Sequence, residues 1–267
     1  MRVATSFDYQ ESGEGPAILF VPGSYATTSA WRGIQTALPR TYRCISTSLC
    51  GYGRTAETRS AADFGIEHNV AVVRAAARRA GGPVHLVGHS WGGLVALAAL
   101  LEGGFEALSL TCFEANPWSP LAWAGRQDLI DGMRRMAADF EAAVDRGEAD
   151  ACALVLDYWG QKGSFASMSP KAQDYCRSVA GVNVIDWRGH RACALETADM
   201  RRLGVSALFV RGSLANPAMV VITDALAGAA PTARMQAVEG ATHFLIGTHP
   251  AECAAVLHGH IRSIGTS

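Results

Sequence analysis

The sequence predicts an α/β fold: a mostly parallel, doubly wound sheet with helices on both faces and a helical segment inserted late in the sheet. Three observations predict it. Short apolar, β-rich runs alternate with longer amphipathic segments, as in parallel strands joined by crossover helices. One such run, Val84 to Val87, leads straight into Gly88-His89-Ser90-Trp91-Gly92-Gly93 and then a helix. From about residue 116 to 197 the alternation stops and the pattern is helical throughout.

In chain order, a weak strand near Phe7 to Gln10 turns through Ser12-Gly13-Glu14-Gly15 into a clear one, Ala17 to Val21, which ends at Pro22-Gly23. A helix is expected from Ser29 to Leu38, then a strand from Cys44 to Leu49 ending at Gly51-Tyr52-Gly53. Helical periodicity from Ile66 to Ala80 is stopped by Gly81-Gly82-Pro83. After the helix that runs to about Leu101, a strand from Ser109 to Phe113 ends at Glu114. Beyond the helical stretch, strands are expected at Ala207 to Val210 and Arg234 to Val238, and a last helix from Pro250 to Ile261.

Bulk properties narrow the function classes. A chain of 267 residues suits one domain with an insertion, or at most two small domains, and is long enough to bury a large core. Hydrophobic residues make up 49% and charged residues 18%, which argues against global disorder. With 23 basic and 24 acidic side chains there is no broad positive footprint for nucleic acid. Arg74, Arg78 and Arg79 read as the solvated face of a helix. Met1 to Asp8 lack the apolar centre of a secretory leader. The longest apolar stretch, Leu94 to Leu101, is far shorter than the roughly 18 residues of a membrane span. The expectation is a cytoplasmic monomer or homodimer acting on a small molecule, with no membrane or nucleic-acid partner. Cys44, Cys50, Cys112, Cys152, Cys176, Cys193 and Cys253 are scattered, with no C-x-x-C and no zinc-site spacing, so buried free thiols and no metal or cofactor are expected.

Gly88 to Gly92 fits G-x-S-x-G, and its setting between a buried strand and a helix gives the pattern weight. A tight strand-to-helix turn lifts the Ser90 hydroxyl to a helix N-terminus, where negative charge is favoured. A serine hydroxyl needs a base to act as a nucleophile. His243, in the loop between the last strand and the last helix, is the candidate, ahead of His249 and the sheet-facing His85. The base needs a carboxylate to orient it. The loop after Val210 carries Asn216 and no acid, whereas Glu114 stands at a strand end; Asp186, Asp199 and Asp224 are weaker alternatives. For an oxyanion hole the backbone N–H groups of Trp91 and Ser24 are the candidates. Tyr25, Trp118, Trp159 and Trp187 are expected in a substrate pocket.

Together, Pro22-Gly23-Ser24, Gly51-Tyr52-Gly53, the Gly88 to Gly92 turn and Gly240 to His243 resemble the α/β-hydrolase superfamily, over nearly the whole chain. The resemblance implies up to eight strands, a core formed by 1–115 and 198–267, and a helical cap, 116–197, inserted after the sixth strand of the family's sheet. Three positions depart from the family pattern. Pro22-Gly23 stands where His-Gly is usual, Ser46-Thr47-Ser48 stand near a usual aspartate, and the acid is missing after the seventh strand. Glu114 matches the placement after the sixth strand found in certain haloalkane dehalogenases. Dehalogenases and epoxide hydrolases of this fold use an aspartate nucleophile, so Ser90 looks instead like esterases, lipases, thioesterases, acyltransferases and carbon–carbon bond hydrolases. Ala26 to Trp31 is faintly similar to acyltransferases that build hydroxyalkanoyl lipids. The leading expectation is an ester hydrolase working through an acyl-enzyme at Ser90, with an apolar substrate. An acyltransferase or carbon–carbon hydrolase with the same apparatus, and a non-catalytic binding protein, are the alternatives.

Overall fold

The computed structural model describes residues 6–264; most of the Met1 to Asp8 segment and the last three residues lie outside it. Seven strands form one sheet: β1 (Tyr9–Ser12), β2 (Ala17–Val21), β3 (Arg43–Thr47), β4 (Val84–His89), β5 (Ala107–Phe113), β6 (Ser206–Gly212) and β7 (Ala233–Val238). Their spatial order is β1-β3-β2-β4-β5-β6-β7. β1 runs antiparallel to β3 and every other neighbouring pair is parallel.

The central strands read as unbroken apolar runs because both of their faces are covered. In β2, Ala17, Leu19 and Val21 enter one core, while Ile18 and Phe20 enter the other. β6 divides likewise, Ala207 and Phe209 to the first core and Leu208 and Val210 to the second. The helices that cover the sheet are α1 (Arg32–Ala37), α2 (Glu67–Ala80), α3 (Trp91–Glu102), α10 (Pro217–Ala229) and α12 (Pro250–Ile264), with the short α11 (Leu245–Thr248) before the last. α2 ends where Gly81 takes a left-handed φ of 75°.

The expected helix from Ser29 to Leu38 is divided. A 3-10 turn over Thr28–Trp31 precedes α1, because Thr27 caps the turn through Ser29 N–H and the fully buried Trp31 fixes its end. The expected strand near Phe7 to Gln10 pairs two residues later, at Tyr9–Ser12.

Between β5 and β6 the chain is helical: α4 (Ser119–Trp123), α5 (Gln127–Asp145), α6 (Cys152–Trp159), α7 (Pro170–Ser178), α8 (Ala180–Ala192) and α9 (Thr197–Arg201). α5 buries Ile130, Met133, Met136, Ala137, Phe140 and Ala143, one stripe at helical spacing. Among the described residues no helix is long and apolar enough to cross a membrane.

Candidate active site

β4 ends in the turn that carries Ser90. Ser90 has φ 54° and ψ −126°, a conformation that costs a non-glycine residue on the order of 1–3 kcal/mol. Its surroundings hold it there. The Ser90 N–H donates to the Phe113 carbonyl at 3.0 Å, and α3 starts at the next residue. A Cβ on Gly92 would strike the Pro22 carbonyl oxygen, so a residue without a side chain is needed for the loop after β2 to close over the turn.

His243 follows β7, and its imidazole bridges two groups. Nδ1 lies 2.7 Å from Glu114 Oε2, and Nε2 lies 3.0 Å from Ser90 Oγ. A buried carboxylate accepts, so Nδ1 carries the proton and Nε2 presents its lone pair to the Ser90 hydroxyl. Glu114 has no exposed surface and sits directly after β5 with a left-handed φ of 49°. Its N–H donates to the Val210 carbonyl at 2.7 Å, and its Oε1 accepts the Gly212 N–H at 2.7 Å. The end of β6 thus holds one carboxylate oxygen while the other faces His243.

The other acids are engaged elsewhere. Asp199 closes the first turn of α9 on the Glu196 N–H and pairs with Arg202, and Asp224 faces Arg211 at 3.4 Å. Asp186 pairs with Arg59 at 2.6 Å. Asn216, in the loop where an acid is usual, caps α10 through the Ala218 N–H and donates to the Tyr158 carbonyl. His249 bonds the Thr248 hydroxyl, and His85 the Ser109 hydroxyl.

Ser90 and His243 open on a cavity of about 280 Å³. Ser24, Tyr25, Trp159 and Trp187 are among the residues that line it. Trp118, also expected there, is not among its lining residues. Placed just before α4, its ring meets Trp187 edge-on at 6.1 Å instead. Trp91 turns its buried indole onto His190, 4.2 Å between ring centres, so only its backbone belongs to the turn. Trp159 stacks on His243 at 5.4 Å and on Trp187 at 6.3 Å, which walls one side of the His243 imidazole with apolar rings.

Several lining residues were not singled out from sequence. Asn116 lies two residues past Glu114, and its Nδ2 is 3.5 Å from Ser90 Oγ. Its position after a carboxyl strand end was the available signal. His190 follows Trp187 by three residues on α8 and so shares its face. His89 accepts no catalytic role from the motif, yet its Nε2 donates to the His243 carbonyl at 2.9 Å and steadies that loop. Burial lowers the pKa of both His89 and His190 to about 3, which keeps them neutral. All seven cysteines are free and six are buried. Burial raises the Cys176 thiol, at the cavity wall, to about 12, which removes thiolate character there.

Comparison with known proteins agrees with this architecture. The chain matches the Alpha/beta hydrolase family over residues 18–256 and belongs to it. Among curated proteins it is 29% identical over 148 residues to a pimeloyl-[acyl-carrier protein] methyl ester esterase of Aliivibrio fischeri, covering 54% of this chain and 55% of that one. It is 27% identical over 216 residues to an epoxide hydrolase of Caballeronia sordidicola, covering 74% and 64%. The chain thus spans less than two-thirds of the length of these curated relatives. Among solved structures, a thermophilic esterase from Thermogutta terrifontis superposes with a TM-score of 0.77 at 18% identity, covering 98% of this chain and 97% of that one. At that identity the likeness shows the fold.

Proposed function

We propose that this protein is a serine hydrolase that cleaves a carboxylic ester of a small, apolar substrate through an acyl-enzyme at Ser90. The observation that carries this reading is the hydrogen-bonded series Glu114–His243–Ser90, at 2.7 and 3.0 Å, facing a cavity lined mainly by apolar side chains. The Ser90 hydroxyl attacks the acyl carbon as Nε2 of His243 takes its proton. Glu114 stabilises the imidazolium. The backbone N–H groups of Ser24 and Trp91 hold the oxyanion. His243 returns the proton to the departing alcohol, leaving the acyl group on Ser90. Water then repeats the sequence, its proton passing to His243 and on to Ser90 as the acid is released.

The helices α4–α9 act in this reading as a cap, because Trp159, Trp187, Met168 and His190 on that segment line the cavity. The esterase relative supports ester chemistry, and the serine at the turn sets the chain apart from the aspartate nucleophile expected of an epoxide hydrolase.

The test is hydrolysis of p-nitrophenyl esters of increasing acyl length by the unmodified protein and Ser90→Ala. Turnover should fall in the variant by on the order of 10⁵ or more in kcat. Equal turnover by the two proteins, or none by the unmodified protein at any length, would overturn the proposal.

A further inference from the structure

Asp186 lies on α8, inside the helical insertion, with no exposed surface. Its carboxylate gathers three segments of the sheet core. Oδ1 accepts from Arg59 Nη1 at 2.6 Å. Oδ2 accepts from the Tyr52 hydroxyl at 2.6 Å and from the Ser24 hydroxyl at 2.5 Å. Asn183, one turn earlier on α8, places Nδ2 3.4 Å from the same oxygen. Arg59 is buried as well, and its guanidinium also reaches Glu57 at 2.7 Å and the Cys50 carbonyl at 3.0 Å.

A buried ion pair contributes little net stability, since desolvation offsets the attraction. This one does something more specific, because its carboxylate also grips the loop after β2. In that loop, a Cβ on Gly23 would lie 2.9 Å from the Ser90 Cβ, so the backbone there is pressed against the nucleophile. On the other side of Ser24, Tyr25 is held at φ 60°, a left-handed conformation uncommon for a residue with a side chain. Ser24 therefore sits between a residue in contact with Ser90 and a residue under backbone strain. Its hydroxyl is tied to a carboxylate that the buried Arg59 guanidinium holds in place.

Resting on the hydrolase reading above, we propose that Asp186 is a positioning residue for the oxyanion hole. Through the Ser24 hydroxyl it holds the Ser24 amide where the acyl oxygen becomes negative, so the docking of α8 sets the geometry of the chemical step. Oxyanion donors act only when they sit about 2.7–3.1 Å from the developing charge. A small displacement then weakens transition-state binding while leaving ground-state binding nearly unchanged.

Ser24→Ala tests this directly. It keeps the backbone N–H and leaves the Arg59–Asp186 pair and the Tyr52 bond in place. Tyr52→Phe is the control, since it removes a neighbouring bond to the same oxygen without touching Ser24. For Ser24→Ala, kcat on the best p-nitrophenyl ester should fall roughly 10- to 100-fold with KM within about threefold. Its Tm should stay within about 3 °C of the unmodified protein. The inhibition constant of an alkylboronic acid, which forms a tetrahedral adduct on the serine, should rise by the same factor as kcat falls. Tyr52→Phe should change kcat less than about threefold. Unchanged kcat in Ser24→Ala would overturn the positioning role, as would losses of kcat that merely follow Tm in both variants. Labelling of Ser90 in the unmodified protein by a fluorophosphonate separates the two levels. A labelled, active enzyme with an unaffected Ser24→Ala variant refutes the positioning role alone. A protein that neither turns over ester nor takes the label refutes the hydrolase reading itself.

Discussion

Two fully buried carboxylates, Glu114 and Asp186, each bond a residue that lines the same cavity, and they are held in different ways. Glu114 comes from the end of a sheet strand and faces the His243 imidazole at 2.7 Å. Asp186 comes from the helical insertion and faces Arg59, a permanent cation. The partner, more than the burial, sets what each carboxylate can do. One can support a charge that appears only during a reaction. The other compensates a charge that is always present and therefore acts as a fixed anchor.

The largest expected effect breaks that comparison on the side of chemistry. Glu114→Gln keeps shape and volume but removes the charge that stabilises an imidazolium and the acceptor that selects the Nδ1–H tautomer. It should lower kcat by about 10⁴, the loss typical when the acid of such a triad becomes an amide. Steady-state kinetics beside a thermal melt measures it, and an undiminished kcat would move the acid's role elsewhere.

The next effect falls on stability. Asp186→Asn leaves Arg59 buried against fewer negative charges and should destabilise the fold by about 3–5 kcal/mol, as loss of one partner of a buried pair does. Chemical denaturation reads it. A loss under about 1 kcal/mol would show that Glu57 alone satisfies the guanidinium.

A further effect concerns the histidines near the two carboxylates, each contributing less than the Asp186→Asn change. His89 holds the His243 backbone, and His190 lies one turn past Asp186 on α8. Burial lowers both to about 3, so the folded protein keeps them neutral while the unfolded chain protonates them below about 6.5. Their contribution to stability is present above pH 6.5 and is lost as pH falls toward 3. The slope is on the order of 1.4 kcal/mol per pH unit for each histidine. Urea denaturation at pH 7.5 and 5 should show the drop, and His190→Phe should make the slope shallower. An unchanged slope in that variant would assign the acid sensitivity to other groups.

The turn at Ser90 and the acid at the end of β5 were legible because their signals are local. The elbow glycines flank Ser90 within four residues, the buried strand and helix flank them in turn, and Glu114 ends a strand whose apolar run is visible in the sequence. The helical insertion was legible only as helix. Trp118 and Trp187 are both aromatic residues in the same segment, yet only Trp187 reaches the cavity. Composition and periodicity cannot tell them apart, since the difference comes from how α4 and α8 pack on each other's surroundings.

Asp186 shows the limit most plainly. From sequence it was a minor alternative for the acid beside His243, and its partners Arg59, Tyr52 and Ser24 stand 127, 134 and 162 residues away in the chain. The sequence by itself determined the strand and helix periods, the strained serine turn and an acid at the end of β5, because steric and hydrophobic constraints act between near neighbours. Only the tertiary structure decided which carboxylate meets His243 and which meets Arg59. That choice depends on distances between segments remote in sequence, and no local pattern encodes them.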